Sequence, residues 1–312
     1  MADHRRDGTH SPPNRPTVRQ LEYVLAVAEH LHFRRAAEAC GVTQPALSAQ
    51  IQTLEELLGV QLFERNRRQV LLTATGRQVV ARARDIVSAV DGLFSAVASG
   101  REPLVGTLRM GVIPTIAPYL LPRVIPGLRS RFPELRLYLR EEFTHLLLER
   151  LGSGELDVAL LALPVTGDFE AQLLFNDDFH VALPPDHPLA KRRRLKESDL
   201  ANEDVLLLED GHCLRDQALA LCGSAGAVEN MQMRATSLGT LTQMVAGGLG
   251  LTLLPEIAID VESMHGAAIE VRPFTHPRPH REVGLVWRRA SGRSEEFRLL
   301  GETLVELLDA GS

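Results

Sequence analysis

The chain has 312 residues, 45% apolar and 24% charged, proportions of ordinary soluble globular proteins and enough for about two domains. No apolar run reaches the ~18 residues a membrane span needs, and the polar, Pro- and His-containing Met1–Pro16 lacks the apolar core of a signal peptide. The net charge of −6 is uneven: residues 1–84 carry twelve arginines and eight acids, residues 85–312 carry 22 basic and 32 acidic groups, so a basic head that suits nucleic acid precedes an acidic body.

Residues 1–16 are expected to form a disordered tail on a cytoplasmic protein. Thr17 can cap a first helix that runs to about His30, with Leu21, Val24, Leu25 and Ala28 at helical spacing. A second helix, Phe33 to Cys40, is followed by a turn at Gly41 and by Thr43 as the cap of a third. Two short helices around a glycine turn make a helix-turn-helix. In the third helix Leu47, Ile51, Leu54 and Leu58 fall on one stripe and predict a buried face. Pro45, Ser48, Ala49 and Gln52 lie opposite, small or polar residues suited to a DNA groove. Val60–Phe63 and Val70–Leu72 are predicted strands. The tip between them carries Arg65, Arg67 and Arg68, a basic wing suited to phosphate or the minor groove. Residues 74–99 form one amphipathic helix with Val79, Ala83, Ile86, Val90, Leu93 and Val97 on a stripe, expected to link and dimerise. Gly100–Gly106 is the expected hinge.

From Leu104 strands and helices alternate, which implies a parallel α/β sheet. Predicted strands are Leu108–Ile113, Leu135–Leu139, Leu156–Ala162, Phe179–Leu183, Val205–Leu208, Met231–Ala235, Leu249–Leu254 and Val283–Trp287. Predicted helices are Leu120–Phe132, His145–Leu151, Leu214–Leu221, Leu238–Ala246 and Glu295–Leu308. Ligands of such folds gather at strand C-termini, which directs attention to Pro114–Thr115, Thr144–His145 and Gly211–Cys213.

The segment from Glu209 to Cys222 carries the chemistry. A strand ends, Asp210–Gly211 turns, and a helix is predicted to begin near Cys213. A thiol there meets the positive end of the helix dipole and backbone N–H donors. Arg215 and His212 are expected to lower its pKa and Asp216 to oppose them. The consequence is a nucleophilic thiolate able to attack a peroxide O–O bond and form a sulfenic acid. Cys222 lies nine residues on, about 13–14 Å along an intact helix, whereas a disulfide needs Cα atoms within about 7 Å. A Cys213–Cys222 bond therefore requires that helix to open, a change that Gly223 and Gly226 should ease. Two inert buried cysteines are the plainer alternative. Cys40, at the end of the second helix, is read as core packing. No histidine grouping has metal-ligand spacing, and no cofactor fingerprint occurs.

The stretch from LEYVLAVAEH to LLTATG resembles the DNA-binding domain of LysR-type regulators over its whole length. The GHCLRDQ segment with its second cysteine, and RATSLGTLTQMVAGGLGLTLLP, resemble the peroxide-sensing members of that family, so the likeness covers residues 17 to about 290. The resemblance implies an α plus α/β chain: a winged helix-turn-helix (17–75), a long linker helix and hinge (76–103), and a periplasmic-binding-protein-like sensor domain of two α/β subdomains (104–312; about 104–178 with 282–312, and 179–281). It implies Thr43, Gln44, Pro45, Ser48 and Gln52 facing promoter DNA, with Arg34 and Arg35 near its backbone. It further implies Cys213 as the peroxidatic thiol and Cys222 as its resolving partner. Thr115 and Thr144 would hold peroxide with His212, His145 would be an outer candidate, and Arg288 a candidate supporting charge. Partners implied are RNA polymerase, glutaredoxin or thioredoxin as reductant, and a homodimer or homotetramer, with no cofactor, metal or membrane. Two other functions compete: a LysR-type regulator of an ordinary metabolite held in the inter-subdomain cleft, and a thiol peroxidase.

Overall fold

The computed structural model describes residues 15–65, 70–98, 104–264 and 268–310. Its contacts divide the chain into two units, Met1–Leu93 and Phe94–Ser312.

The first unit opens with α1 (Val18–His30). Thr17 caps it through a capping box: its hydroxyl accepts from the Gln20 amide, and the Gln20 side chain accepts from the Thr17 amide. α2 (Phe33–Ala39) ends one residue before the expected Cys40. Thr43 stands at the N-cap of α3 (Gln44–Leu58), but its hydroxyl makes no capping bond. Leu47, Ile51 and Leu54 pack on α1 and α2, whereas Leu58 is 38% exposed. The stripe outlasts its partners: the last turn of α3 passes beyond the helices that cover the earlier ones. β1 (Phe63–Arg65) begins later than expected and pairs antiparallel with β2 (Val70–Leu72). The delay has a cause in Glu55, whose carboxylate accepts the amides of Leu62 and Phe63 at 2.7 and 3.2 Å and holds that stretch as a loop. α4 (Ala74–Ala98) turns Val80 and Ala83 into the helix-turn-helix core. Ile86, expected on the inward stripe, stays 47% exposed. The inward row thus keeps Ala83 and the partly buried Val79 of the predicted stripe and takes Val80 and Val87 where Ile86 was expected. The wing tip at 66–69, residues 100–103 of the expected hinge and the side chains of Leu93 and Val97 lie outside the described residues, and Gly106, the expected end of the hinge, already belongs to β3.

In the second unit β3 (Gly106–Val112) pairs parallel with β4 (Leu135–Glu141) and β5 (Val158–Leu163). Helices α5 (Ala117–Arg131) and α6 (Thr144–Gly152) follow β3 and β4. β6 (Phe169–Leu183) is a single 15-residue strand, of which only the second part was predicted. β11 (His280–Arg288) lies antiparallel between β5 and β6, so the sheet is mixed and not purely parallel. β7 (Asp204–Leu208) pairs parallel with β8 (Val228–Ala235). α7 (Cys213–Ala225) connects those two strands. After α8 (Leu238–Ala246), β9 (Thr252–Pro255) and β10 (Glu270–Pro273) both pair with the far end of β6. α9 (Glu256–Met264), like β10, was not predicted, and α10 (Ser294–Ala310) closes the chain.

Two apolar cores fill this unit. One gathers residues from Leu104 to Leu174 with Val283 to Leu304; the other gathers Phe179 to Phe274 with Tyr119. β6 contributes Leu174 to the first and Phe179 and Val181 to the second, so it runs from one core into the other. The three predicted pocket segments follow β3, β4 and β7, at the strand ends where the cores meet.

Candidate functional site

Asp210–Gly211 turns the chain between β7 and α7. Gly211 has φ 103°, a conformation costly for any residue with a Cβ, and the Phe143 ring lies beside it at ordinary van der Waals distance from where a Cβ would stand. His212 follows as N-cap, and Cys213 is the first residue of α7. The Cys213 thiol is free and half-buried against the first core. Cys222 is free and buried within the second core. α7 is unbroken between them and continues through Gly223 to a cap at Gly226 in the left-handed region. Gly223 is thus part of the helix, not of a loop after it. The helical rise over nine residues separates the backbone positions of Cys213 and Cys222 by about 13–14 Å along the axis.

The charge around Cys213 differs from the expectation. Burial pushes its thiol above the ordinary value; Arg281, the Thr144 hydroxyl and the Leu214 amide act against that, and Asp216 adds a small upward push. Arg215 does not act as the tuning cation. Two helical residues differ by about 200° in direction, so Arg215 turns away from the sulfur. It is buried with Asp210 at 2.9 Å, Glu229 at 2.8 Å and the Leu208 carbonyl at 3.2 Å. His212 is no cation either: burial lowers its pKa, and its ring stands edge-on to Phe143 at 4.7 Å. Its Nε2 is buried without a partner. Burial pushes Cys222 up to about 11.

The cation that does act on Cys213 is Arg281, which the sequence reading passed over. It is buried on β11, paired with Asp177 of β6 at 2.9 Å. It donates to the Thr115 hydroxyl at 2.8 Å and the Thr115 carbonyl at 3.0 Å. Arg288, the expected supporting charge, instead holds the carbonyls of Leu151 and Leu156 at 2.6 and 2.7 Å. Thr144 opens α6, and its hydroxyl is close enough to the Cys213 sulfur to favour the thiolate, yet forms no hydrogen bond of good geometry. Gln217, one turn beyond Cys213 on the same face, likewise buries its Oε1 without a partner. His145 does not join the group: it is exposed, and its ring stacks on Phe143 at 6.2 Å. The structure therefore brings Cys213, Thr115, Thr144 and His212 together, adds Arg281, Phe143 and Gln217, and leaves out Arg215 and His145.

In the helix-turn-helix, the N-cap Thr43 and Gln44, Pro45 and Gln52 of α3 are exposed, Ser48 is half-buried, and Arg34 and Arg35 are exposed on α2. The Arg65 side chain, Arg67 and Arg68 lie outside the described residues. Cys40 packs at the edge of the helix-turn-helix core. Among the described residues no cluster of His, Cys, Asp and Glu could hold a metal ion, and no helix is long and apolar enough to cross a membrane.

Residues 18–77 match the bacterial regulatory helix-turn-helix proteins of the lysR family, and residues 101–309 match the LysR substrate binding domain. The chain is 45% identical to the DNA-binding transcriptional dual regulator OxyR of Escherichia coli (strain K12), over 94% of this chain and 96% of that one. Among solved structures it resembles a cysteine variant of full-length OxyR from Pseudomonas aeruginosa, with TM-score 0.80, 37% identity and coverage of 93% and 98%. It also resembles an H2O2-bound cysteine variant of OxyR from Corynebacterium glutamicum, with TM-score 0.66, 37% identity and coverage of 96% of each chain.

Proposed function

The chain belongs to the LysR family of DNA-binding transcription regulators, in its OxyR branch, and from that premise we propose that hydrogen peroxide is its signal and Cys213 its point of entry. The observation that carries this reading is the half-buried Cys213 thiol beside the buried Thr144 hydroxyl, which has no well-formed hydrogen bond. A buried hydroxyl without a partner costs about 1–3 kcal/mol. A molecule that both donates and accepts, as HOOH does, removes that cost and lies against the sulfur.

Cys213 sulfur attacks the nearer peroxide oxygen, and the O–O bond breaks. The departing oxygen takes the thiol proton, passed through the Thr144 hydroxyl, and leaves as water; Cys213 becomes a sulfenic acid. Thr115 and Arg281 stabilise the charge that gathers on the departing oxygen. α7 then opens, the Cys222 thiol attacks the sulfenic sulfur, and a second water leaves as the disulfide forms. The disulfide holds residues 213–222 as a loop and repacks the surface around them. That change reaches the DNA-binding heads through a homodimer or homotetramer.

The functional regions are 17–75 for DNA, 76–103 for linkage, and 104–312 for sensing, the last in subdomains of 104–178 with 282–312, and 179–281. Thr43, Gln44, Pro45, Ser48 and Gln52 face promoter DNA, Arg34 and Arg35 its backbone, and Arg65, Arg67 and Arg68 form the wing. The protein works in the cytoplasm beside RNA polymerase and is reset by glutaredoxin or thioredoxin. It is a sensor and not a peroxidase, reacting once per activation.

Sulfenic-acid trapping with a dimedone probe tests the assignment. Cys222→Ser should accumulate the adduct on Cys213 after one equivalent of peroxide, and Cys213→Ser should give none. An adduct confined to Cys40 would refute it. Sustained peroxide consumption over many turnovers with reductant present would instead establish an enzyme.

A further inference from the structure

Arg281 and Asp177 face each other as register partners across the β6–β11 ladder, and both side chains are wholly buried. Arg281 Nε donates to Asp177 Oδ2 at 2.9 Å. Its terminal nitrogens donate to Thr115 Oγ1 and to the Thr115 carbonyl. A guanidinium only donates, so Thr115 Oγ1 is an acceptor in that bond. The hydroxyl hydrogen must then point away from Arg281. Its bond to Arg281 thus leaves Thr115 free to donate that hydrogen to another group. The second oxygen of Asp177 accepts the Ile257 amide at 3.1 Å, in the first turn of α9. The carboxylate is anchored from two elements, and Arg281 is anchored by it.

We propose that Asp177 is a positioning residue for the reaction of Cys213: it holds Arg281 where Thr115 is fixed as a hydrogen-bond donor, and it offsets part of the positive field that Arg281 casts on the sulfur. The proposal rests on the reading of Cys213 as the peroxide-reactive thiol. Asp177 itself touches neither sulfur nor peroxide. Among the described residues, the side chains acting on the sulfur are Arg281 from β11, Thr144 from α6 and Asp216 on α7, beside the Leu214 amide, with His212 held neutral next to Cys213. Near Arg281 the Tyr119 phenol of α5 is a further titratable group, and it donates to Glu262 of α9 at 2.6 Å. Asp177 is the carboxylate paired with Arg281.

The test uses the full chain with Cys40 and Cys222 replaced by serine, so that Cys213 is the one thiol. Two quantities are read: the pH dependence of its alkylation by iodoacetamide, and its rate of oxidation by hydrogen peroxide at matched thiolate fraction. In Asp177→Asn the uncompensated Arg281 should move the alkylation midpoint to lower pH by about one unit. The oxidation rate should fall about tenfold, on the order of one lost or misdirected hydrogen bond. A packing role alone gives no acid shift. A buried arginine left alone can prevent folding, so Asp177→Asn with Arg281→Gln is the second variant. It removes both charges, and its midpoint should rise above that of the parent. No acid shift in the single variant, or no rise in the double, would overturn the proposal. An acid shift in a protein whose parent thiol ignores peroxide would overturn the peroxide reading instead, and leave Asp177 as a residue that sets the thiol's charge.

Discussion

If the disulfide forms only when α7 opens, weakening α7 must make the disulfide harder to reduce. Ala220 is suited to the perturbation, because it is exposed within α7 and its replacement removes no core contact. Glycine at an exposed helix interior costs about 0.8–1.0 kcal/mol relative to alanine. That cost falls on the reduced, helical form and largely spares a form in which the segment is already a loop. For a two-electron couple, 30 mV corresponds to about 1.4 kcal/mol, so the midpoint potential should move negative by roughly 20 mV. Leu214, Ala218 and Cys222 keep their places in the second core, and Arg215 keeps its bonds to Asp210 and Glu229. The assay is equilibration of the full chain in glutathione buffers, with the disulfide fraction read by mass spectrometry. A potential that is unchanged or more positive would refute the coupling of disulfide to helix opening.

Other consequences can be measured as readily. Thr144→Val keeps the shape and removes the partnerless hydroxyl; Cys213 oxidation should slow about tenfold or more, and an unaltered rate would show the hydroxyl dispensable. His212 is buried with its pKa lowered, so the unfolded chain binds its proton first as pH falls. Stability contributed by neutral His212 should be complete above about pH 6.5 and decline below it; a His212→Asn protein, compared by denaturant unfolding across pH 5–7.5, should lose that part of the slope. Because burial raises the Cys222 thiol to about 11, iodoacetamide at pH 8 should modify Cys222 in the native reduced protein far more slowly than in urea. Arg67→Ala with Arg68→Ala should weaken DNA binding and flatten its salt dependence by about two in log–log slope, and an unchanged slope would remove the wing from the contact.

The positions that sequence reading located are those where local chemistry decides. Thr17, with Gln20 three residues on, makes a capping box, and α1 begins there. Asp210–Gly211 before Cys213 forced a turn followed by a helix start, which put the thiol at an N-terminus. Cys213 and Cys222 stood within one helix for the same reason. The errors share a cause in that adjacency along the chain was read as adjacency in space. Arg215 is two residues from Cys213, yet its helical direction sends it to Glu229, which the sequence placed on no shared face. Arg281 is 68 residues from Cys213, and only the β6–β11 register brings it to Thr115 and the Cys213 sulfur. The first part of β6 was missed because Glu170 and Gln172 interrupt its apolar residues and Asn176–Asp178 separate Leu173–Phe175 from the predicted Phe179–Leu183 segment, so no continuous strand pattern marked it. Pro114–Thr115 and the start of α6 were found as strand ends, and their threonines followed from the family resemblance.

The central claim is that peroxide converts an intact α7 into a disulfide-bridged loop. Amide hydrogen exchange of the full chain, read by mass spectrometry before and after one equivalent of peroxide, tests it most directly. The account predicts a peptide pair joined through Cys213 and Cys222, together with loss of protection at the amides of residues 216–222, which α7 bonds in the reduced form. A Cys213–Cys222 disulfide with those amides still protected, or peroxide treatment that leaves both thiols free, would contradict it.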